Sequence, residues 1–511
     1  MDLLRPQCTS LYLIFFALVS QFSFCNAVLD GFDFLKGEHN ASSNEYTYEL
    51  ELVDLNYAEV TLSFVMQDSL LYMSSRGAQQ LEKSWSTFVS DIALLSNSGT
   101  EIPFHQTKEG AWIVNGSIGQ KVELSYKVNL DHEDYEWSSG IDGVAFKKPW
   151  GVFYTGRSLF IMNGKDRQGI KVNVNLNKNW NISTPWNANK GSENRFIVND
   201  FTELTESMIF AGSHEEFTIR REGFELIFAL GGPEIVKAKN DYRQMAEKVM
   251  DYYIDLLGGV PRPSTSNPFN KTLVIINSSD KADGEVIGNS ISIVESDQTD
   301  TMSKLISRFI FAHELFHLWN GKSFFPSDDK SDWFKEGVTN YYTLKSLLSA
   351  GVLEETSFFS VLNTFFYSKY INDSAVGKMS VTEGSEKHDH WGLIYGGGLF
   401  IGISQDMIIR SSTGNKASLD TLMRLLFAKY SGTDKGYDLE EIQATLSELS
   451  GKDQTEFFNQ YILGTSKIPV EFYLKLIGLS SEIEDSQLII SRRENENSLQ
   501  KKMINGFMGM N

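Results

Sequence analysis

Between Val28 and Thr218 apolar and polar positions alternate over short runs, as in Tyr46 to Leu52 (YTYELEL), Lys121 to Val128 (KVELSYKV) and Gly169 to Leu176 (GIKVNVNL). Successive strand residues face opposite ways, so period two with Gly, Asn and Asp between the runs predicts antiparallel strands with one dry face. An N-terminal antiparallel β-sandwich over 28–225 is the expectation. After Gly231-Gly232-Pro233 the period lengthens: residues 235–257 recur apolar at helical spacing and stop at Gly258-Gly259, a glycine-terminated helix. Two strands follow, Leu273 to Ile276 and Ser290 to Val294, the second expected at an exposed sheet edge. A helix from about Met302 to Asn320 is apolar nearly all round and should be buried. Ser331 or Asp332 can cap another helix that runs to Ala350, where Gly351 ends it. Beyond Tyr395 the chain reads largely helical to about Gly464. The pattern predicts an α+β multidomain protein: the β unit, an α/β unit at 226–400, a helical unit at 401–479, and a loose polar tail at 480–511 that includes RRENENSLQKK.

Length and composition support several cores. A chain of 511 residues with 41% hydrophobic and 13% aromatic residues exceeds one ordinary domain and can fill two or three. Arg5, the apolar run Leu11 to Val19 and the small residue Ala27 give residues 1–27 the form of a signal peptide, and the run is shorter than the ~20 residues that span a bilayer. Export is the expectation, with no other apolar run of spanning length and no stable membrane insertion. Cys8 and Cys25 are the only cysteines; both lie in that segment, which leaves the mature chain no disulfide and no thiolate ligand. A net charge of -20 excludes a polyanion partner such as nucleic acid, which needs a basic surface. Any metal must be held by His and carboxylate.

The candidate chemistry lies in His313-Glu314-Leu315-Phe316-His317, on the helix expected to be buried. Residues four apart share a helix face, so both imidazoles can reach one cation, with Glu314 beside that face. A hydrolytic zinc site needs three protein ligands and an open position. Glu336 stands nineteen residues beyond His317 on the next helix, where a helical hairpin would deliver its carboxylate. One Zn2+ per chain is the expected cofactor, and a peptide or protein the expected substrate.

With these residues in hand, the chain resembles the gluzincin peptidases, and within them the glycyl aminopeptidase family. The likeness rests on His313-Glu314-x-x-His317 followed by Leu318-Trp319-Asn320, and on Trp333-Phe334-x-Glu336-Gly337-x-Thr339-x-Tyr341-Tyr342. Phe201 to Ser207, Ser418-Leu419-Asp420 and Phe457 to Pro469 are similar to other parts of that family. The resemblance implies a thermolysin-like catalytic domain between the β-sandwich and the helical domain, acting near peptide amino ends. It also implies an oxyanion donor at Tyr395, where a Tyr-x-Lys-Gly motif reads Tyr395-Gly396-Gly397-Gly398, so that Gly397 replaces the lysine. The family's Gly-Gly-Leu-Glu-His segment, whose glutamate anchors the substrate amine, corresponds to Asp283 to Ile287. There the acidic position holds Val286, with Glu285 as the neighbouring substrate-binding candidate. The PDZ domain that often ends these enzymes has no counterpart after Leu479.

Glu314 is then expected to take a proton from the attacking water and pass it to the leaving amine. Asn320 is a candidate support for a ligand or simply for the turn after its helix, and Thr339, near Glu336, for that carboxylate. His388 and His390 stand close enough to Tyr395 to rim a cleft. Altered end recognition, as in an endopeptidase, and a non-catalytic zinc-bearing binding protein are the competing readings.

Overall fold

The computed structural model describes residues 46–137, 140–165, 167–189, 191–279, 282–296 and 301–510. The expected signal peptide and both cysteines lie outside them.

The N-terminal unit holds three sheets. The largest is seven-stranded, in the order Asn187–Ala188, Arg195–Asp200, Gln168–Leu176, Tyr46–Leu52, Tyr57–Val65, Lys121–Asn129, Val89–Ser96. Alternation along Tyr46–Leu52 buries Tyr46, Tyr48, Leu50 and Leu52 on one face, as the sequence requires. The sheet is mixed rather than wholly antiparallel, because Tyr46–Leu52 runs parallel to Gln168–Leu176; period two records which face is dry but not the direction of the neighbour. Two four-stranded sheets pack with it through a common apolar core. Two of its buried tyrosines are tied to backbone: the Tyr48 hydroxyl donates to the Ile161 carbonyl at 2.8 Å and the Tyr126 hydroxyl to that of Leu159 at 3.0 Å.

The second unit begins earlier than expected. Glu215–Arg221 and Phe224–Gly231 do not join the β unit but open a five-stranded sheet, in the order 215–221, 224–231, 271–279, 290–296, 283–287. The boundary therefore falls at Ser213–His214 rather than 225, and alternation could not show it because strands of both units alternate. The expected edge is also corrected. Ser290–Ser296 is internal, and Asp283–Ile287, antiparallel to it, is the edge. The back of this sheet meets the β unit, where Phe146, Phe153, Met208 and Phe210 cover Ala229, Leu273, Ile275, Ile287 and Val294. On the other face lie helices Lys239–Leu257 and Thr301–Phe316, the latter packed on Ser290–Ser296 and on helix Thr339–Ser349.

No core boundary occurs at residue 400. Helix Gly398–Thr413 crosses it, and one apolar cluster runs from Phe217 to Met508. The span Gly392–Thr413 is long and apolar enough to cross a membrane, contrary to the reading that no second such run exists; its apolar stretch is buried within the fold, and only residues 411–413 reach the surface. The loose tail is corrected as well. Residues 480–491 form a two-stranded hairpin, and Ser498–Met508 is a helix with Asn497 and Gln500 as a capping box. That helix buries Met503, Ile504, Phe507 and Met508, so its polar face dominated the composition while its apolar stripe docks.

Candidate metal centre

Thr301–Phe316 carries His313 on its last turn, and the chain past it turns sharply through Trp319 and Asn320. The next segment, Trp333–Val338, is a π-helical turn leading into Thr339–Ser349, and Glu336 sits in it. Tyr395 lies in another such turn, Gly392–Gly397, ahead of Gly398–Thr413. Two glycines let these turns touch. A Cβ on Gly398 would stand 2.3 Å from the Trp333 carbonyl oxygen, and one on Gly337 2.3 Å from the Gly398 carbonyl carbon. Backbone therefore meets backbone, which brings Glu336 and Tyr395 to one place.

The ligand-bearing atoms of His313, His317 and Glu336 all lie within 4.8 Å of one another. The two Nε2 atoms are 3.0 Å apart, and Glu336 Oε2 is 3.2 Å from His317 Nε2 and 3.6 Å from that of His313. Ligands about 2.1 Å from a tetrahedral zinc stand about 3.4 Å apart, so the spacing suits such an ion. Chemistry agrees. His317 Nδ1 donates to the Asn320 carbonyl at 2.9 Å, which turns the lone pair of the neutral ring to Nε2. Burial pushes His313 down to about 4, with Glu336 opposing and His317 adding, so this ring is neutral at pH 7. Burial alone would raise the Glu336 carboxyl; Lys335, Lys387 and the two histidines hold it well below the usual carboxylate range.

Glu314 lies beside this set, fully buried, with Oε2 lacking a hydrogen-bond partner. Burial, followed by the charges of Glu285 and Glu336, raises its carboxyl well above the ordinary value against the pull of Lys335. An orphaned buried oxygen next to three convergent donors fits a centre completed by a cation and its water. The Tyr395 ring stacks on Trp391 at 5.3 Å and stands 6.4 Å from the His313 ring. Burial and the charges of Glu336, Asp332 and Glu314 raise its phenol, which stays a donor. Beneath it, the space over Gly397 is taken by the Tyr370 ring, 3.2 Å from where a Cβ would be.

Asn320 supports both a ligand and the hairpin: its carbonyl accepts from His317 Nδ1, and its side chain ties the turn to the next helix. Its Nδ2 donates to the Lys335 carbonyl and to Thr339 Oγ1, both at 3.2 Å, and its Oδ1 accepts from Tyr437 at 3.1 Å. Thr339 thus meets Asn320, not the Glu336 carboxylate as expected. On the edge strand Val286 packs into the core, whereas Glu285 faces the turn Ile141–Gly143 of the β unit, its Cγ 3.0 Å from a Cβ placed on Gly143. Burial pushes Glu285 up to about 8. Arg157, which pairs with Glu206, opposes that shift, as does Lys322. His390 meets Asp373 at 3.0 Å, and the other Asp373 oxygen accepts from Leu393 N at 3.1 Å, fixing the start of the Tyr395 turn.

Sequence reading missed Lys335 and Lys387, both of which reach Glu336. Lys335 adjoins a candidate ligand and was open to notice; nothing in the sequence connects Lys387 with it.

Two family models match the chain: the Peptidase M61 N-terminal domain over 80–213 and M61 glycyl aminopeptidase over 307–397. The chain carries both domains of the M61 glycyl aminopeptidase family. The first match ends at Gly212-Ser213, where the sheets change, and the second encloses His313 through Tyr395. Among solved structures, an aminopeptidase N family protein from Idiomarina loihiensis is similar in fold at a TM-score of 0.72, with 18% identity over 86% of this chain and 79% of that one. An M1 zinc metallopeptidase variant from Deinococcus radiodurans aligns at a TM-score of 0.47, with 12% identity over 83% of this chain and 95% of that one. No curated protein matches. The M61 matches thus fall on both units of the fold, with the glycyl aminopeptidase match over the convergent side chains.

Proposed function

We propose that this M61 chain is an exported, zinc-dependent peptidase of aminopeptidase type. The observation that carries the reading is the convergence of His313, His317 and Glu336 beside the unpartnered Oε2 of Glu314. Zinc held by those three residues supplies Lewis acidity to the scissile carbonyl and to the attacking water. With a bound cation's charge drawing its raised carboxyl down, Glu314 would accept that water's proton and return it to the leaving amine, a contribution of about 10²–10⁴ in rate. The Tyr395 hydroxyl, kept protonated by its surroundings, donates to the developing oxyanion. The edge strand Asp283–Ile287 offers its backbone to an extended peptide, and the Glu285 carboxyl on that strand, which would give up its proton beside a cationic group, is the partner for the peptide's free amine. Residues 1–27 direct export.

An endopeptidase reading draws on Val286, which occupies the family's acidic position and is turned into the core. Comparison of free and N-acetylated peptides separates the two, since equal rates remove amine anchoring. For the central reading, purified protein should cleave unblocked peptides, lose activity to a chelator and regain it with Zn2+. Glu314→Gln should keep its zinc and lose turnover; a variant that still cleaves at the parent rate ends this mechanism.

A further inference from the structure

The two oxygens of Glu336 have different neighbours. Oε2 faces His317 and His313 at 3.2 and 3.6 Å, whereas Oε1 lies 3.2 Å from Lys335 Nζ and 3.4 Å from Lys387 Nζ. Lys335 is the residue before Glu336 in its π-helical turn. Lys387 arrives from a separate segment and is anchored by Asp332 Oδ2 at 2.7 Å. Both ammonium-bearing side chains are nearly inaccessible, at 7% and 5%. Burying two ammonium groups beside the donors of a cation site is costly twice over, because each is desolvated and each repels the cation. Balancing the Glu336 charge does not require two of them. Two independent segments nevertheless aim at one oxygen and leave the other clear.

We propose that Lys335 and Lys387 are positioning residues that occupy Glu336 Oε1, so that this carboxylate meets a divalent cation through Oε2 alone. The inference rests on the zinc reading above and concerns these residues' action toward the metal. A hydrolytic site needs a vacant ligand position. A carboxylate free to swing both oxygens onto the ion takes that position away. The clamp prevents this by engaging the lone pairs of one oxygen, which a buried carboxylate with no other partner on that side would turn to the metal.

The test uses the full chain loaded with one equivalent of Zn2+ or Co2+. Elemental analysis of the parent protein comes first; if it binds no zinc, the metal reading itself fails, separately from the clamp. In the Lys335→Met/Lys387→Met double variant the zinc X-ray absorption spectrum should show about five light-atom ligands in place of about four, and the visible absorption of the cobalt form should fall by about two-fold or more as its geometry expands. Lys335→Arg/Lys387→Arg, which keeps both cations, should retain the parent spectrum. A double Met variant that binds one metal ion with the parent's spectrum overturns the proposal. Should that variant fail to fold, Lys335→Met and Lys387→Met are read singly: a rise in ligand number in either supports the clamp, and two unchanged spectra overturn it.

Discussion

Replacement of Gly398 by alanine sets two known effects against each other. In an exposed helix the change gains about 1 kcal/mol, because alanine loses less backbone entropy than glycine. Here the new Cβ would stand 2.3 Å from the Trp333 carbonyl oxygen and 3.2 Å from Gly337 Cα. Ordinary contacts begin at about 3.5 Å, so the two turns must part by about 1 Å. Overpacking of this kind costs about 1–3 kcal/mol, and a clash of backbone with backbone belongs at the upper end, since no side chain can swing aside. A net loss of about 2 kcal/mol is expected. Function should suffer more, because a 1 Å shift of Tyr395 from Glu336 is of the size that costs about 10²-fold in kcat/KM. Gly396→Ala is the internal control: its Cβ would meet the Phe366 carbonyl oxygen at 3.4 Å, an ordinary contact, and stability should hold or rise. The assay is the urea midpoint of the zinc-loaded protein together with kcat/KM on an unblocked peptide. If Gly398→Ala is as stable and as active as Gly396→Ala, the close crossing does not set the geometry of the site.

The Glu285 carboxyl holds its proton to about 8 in the folded chain, against an ordinary 4.5. The folded state therefore binds more protons between these values, and stability should fall by up to a few kcal/mol as pH rises from about 4.5 to 8. Glu285→Gln should flatten that slope in urea melts and raise KM for free peptides while leaving that for acetylated ones; an unchanged slope denies the burial argument, and an unchanged KM denies amine anchoring. The Phe507 ring packs against Tyr341 at 5.9 Å and Phe358 at 5.4 Å and is fully buried. Phe507→Ala should cost about 3–5 kcal/mol by cavity formation, visible as a lower melting temperature, and a variant that melts with the parent would show the C-terminal helix to be dispensable.

Much of this was legible in residue order because it follows from local periods. The step of four residues from His313 to His317 fixes a shared helix face, and the step of nineteen to Glu336 leaves room for one turn and a return. The helix expected over 302–320 is observed as Thr301–Phe316, shortened where Trp319 and Asn320 turn the chain. Non-local facts were not readable. Alternation in Glu215–Arg221 does not tell which sheet the strand joins, and that the edge is Asp283–Ile287 depends on strand order. Lys387 reaches Glu336 across fifty-one residues of separation, a contact with no local signature. The C-terminal helix is a different failure. Its Asn497 and Gln500 cap and its apolar residues Met503, Ile504, Phe507 and Met508 were present to be read, but average polarity concealed the stripe.

The apolar seam between the two units constrains how this chain can be cut or recombined. A fragment that starts at His214 would bare Leu273, Ile275, Ile287 and Val294, and would lose the shelter of Gly143 beside Glu285 on its outermost strand. Such a fragment is a candidate for sheet-to-sheet aggregation even if its helices form normally. Exchange of modules at this junction is thus limited less by the short linker than by the footprint of Phe146, Phe153, Met208 and Phe210, which any substitute domain would have to reproduce.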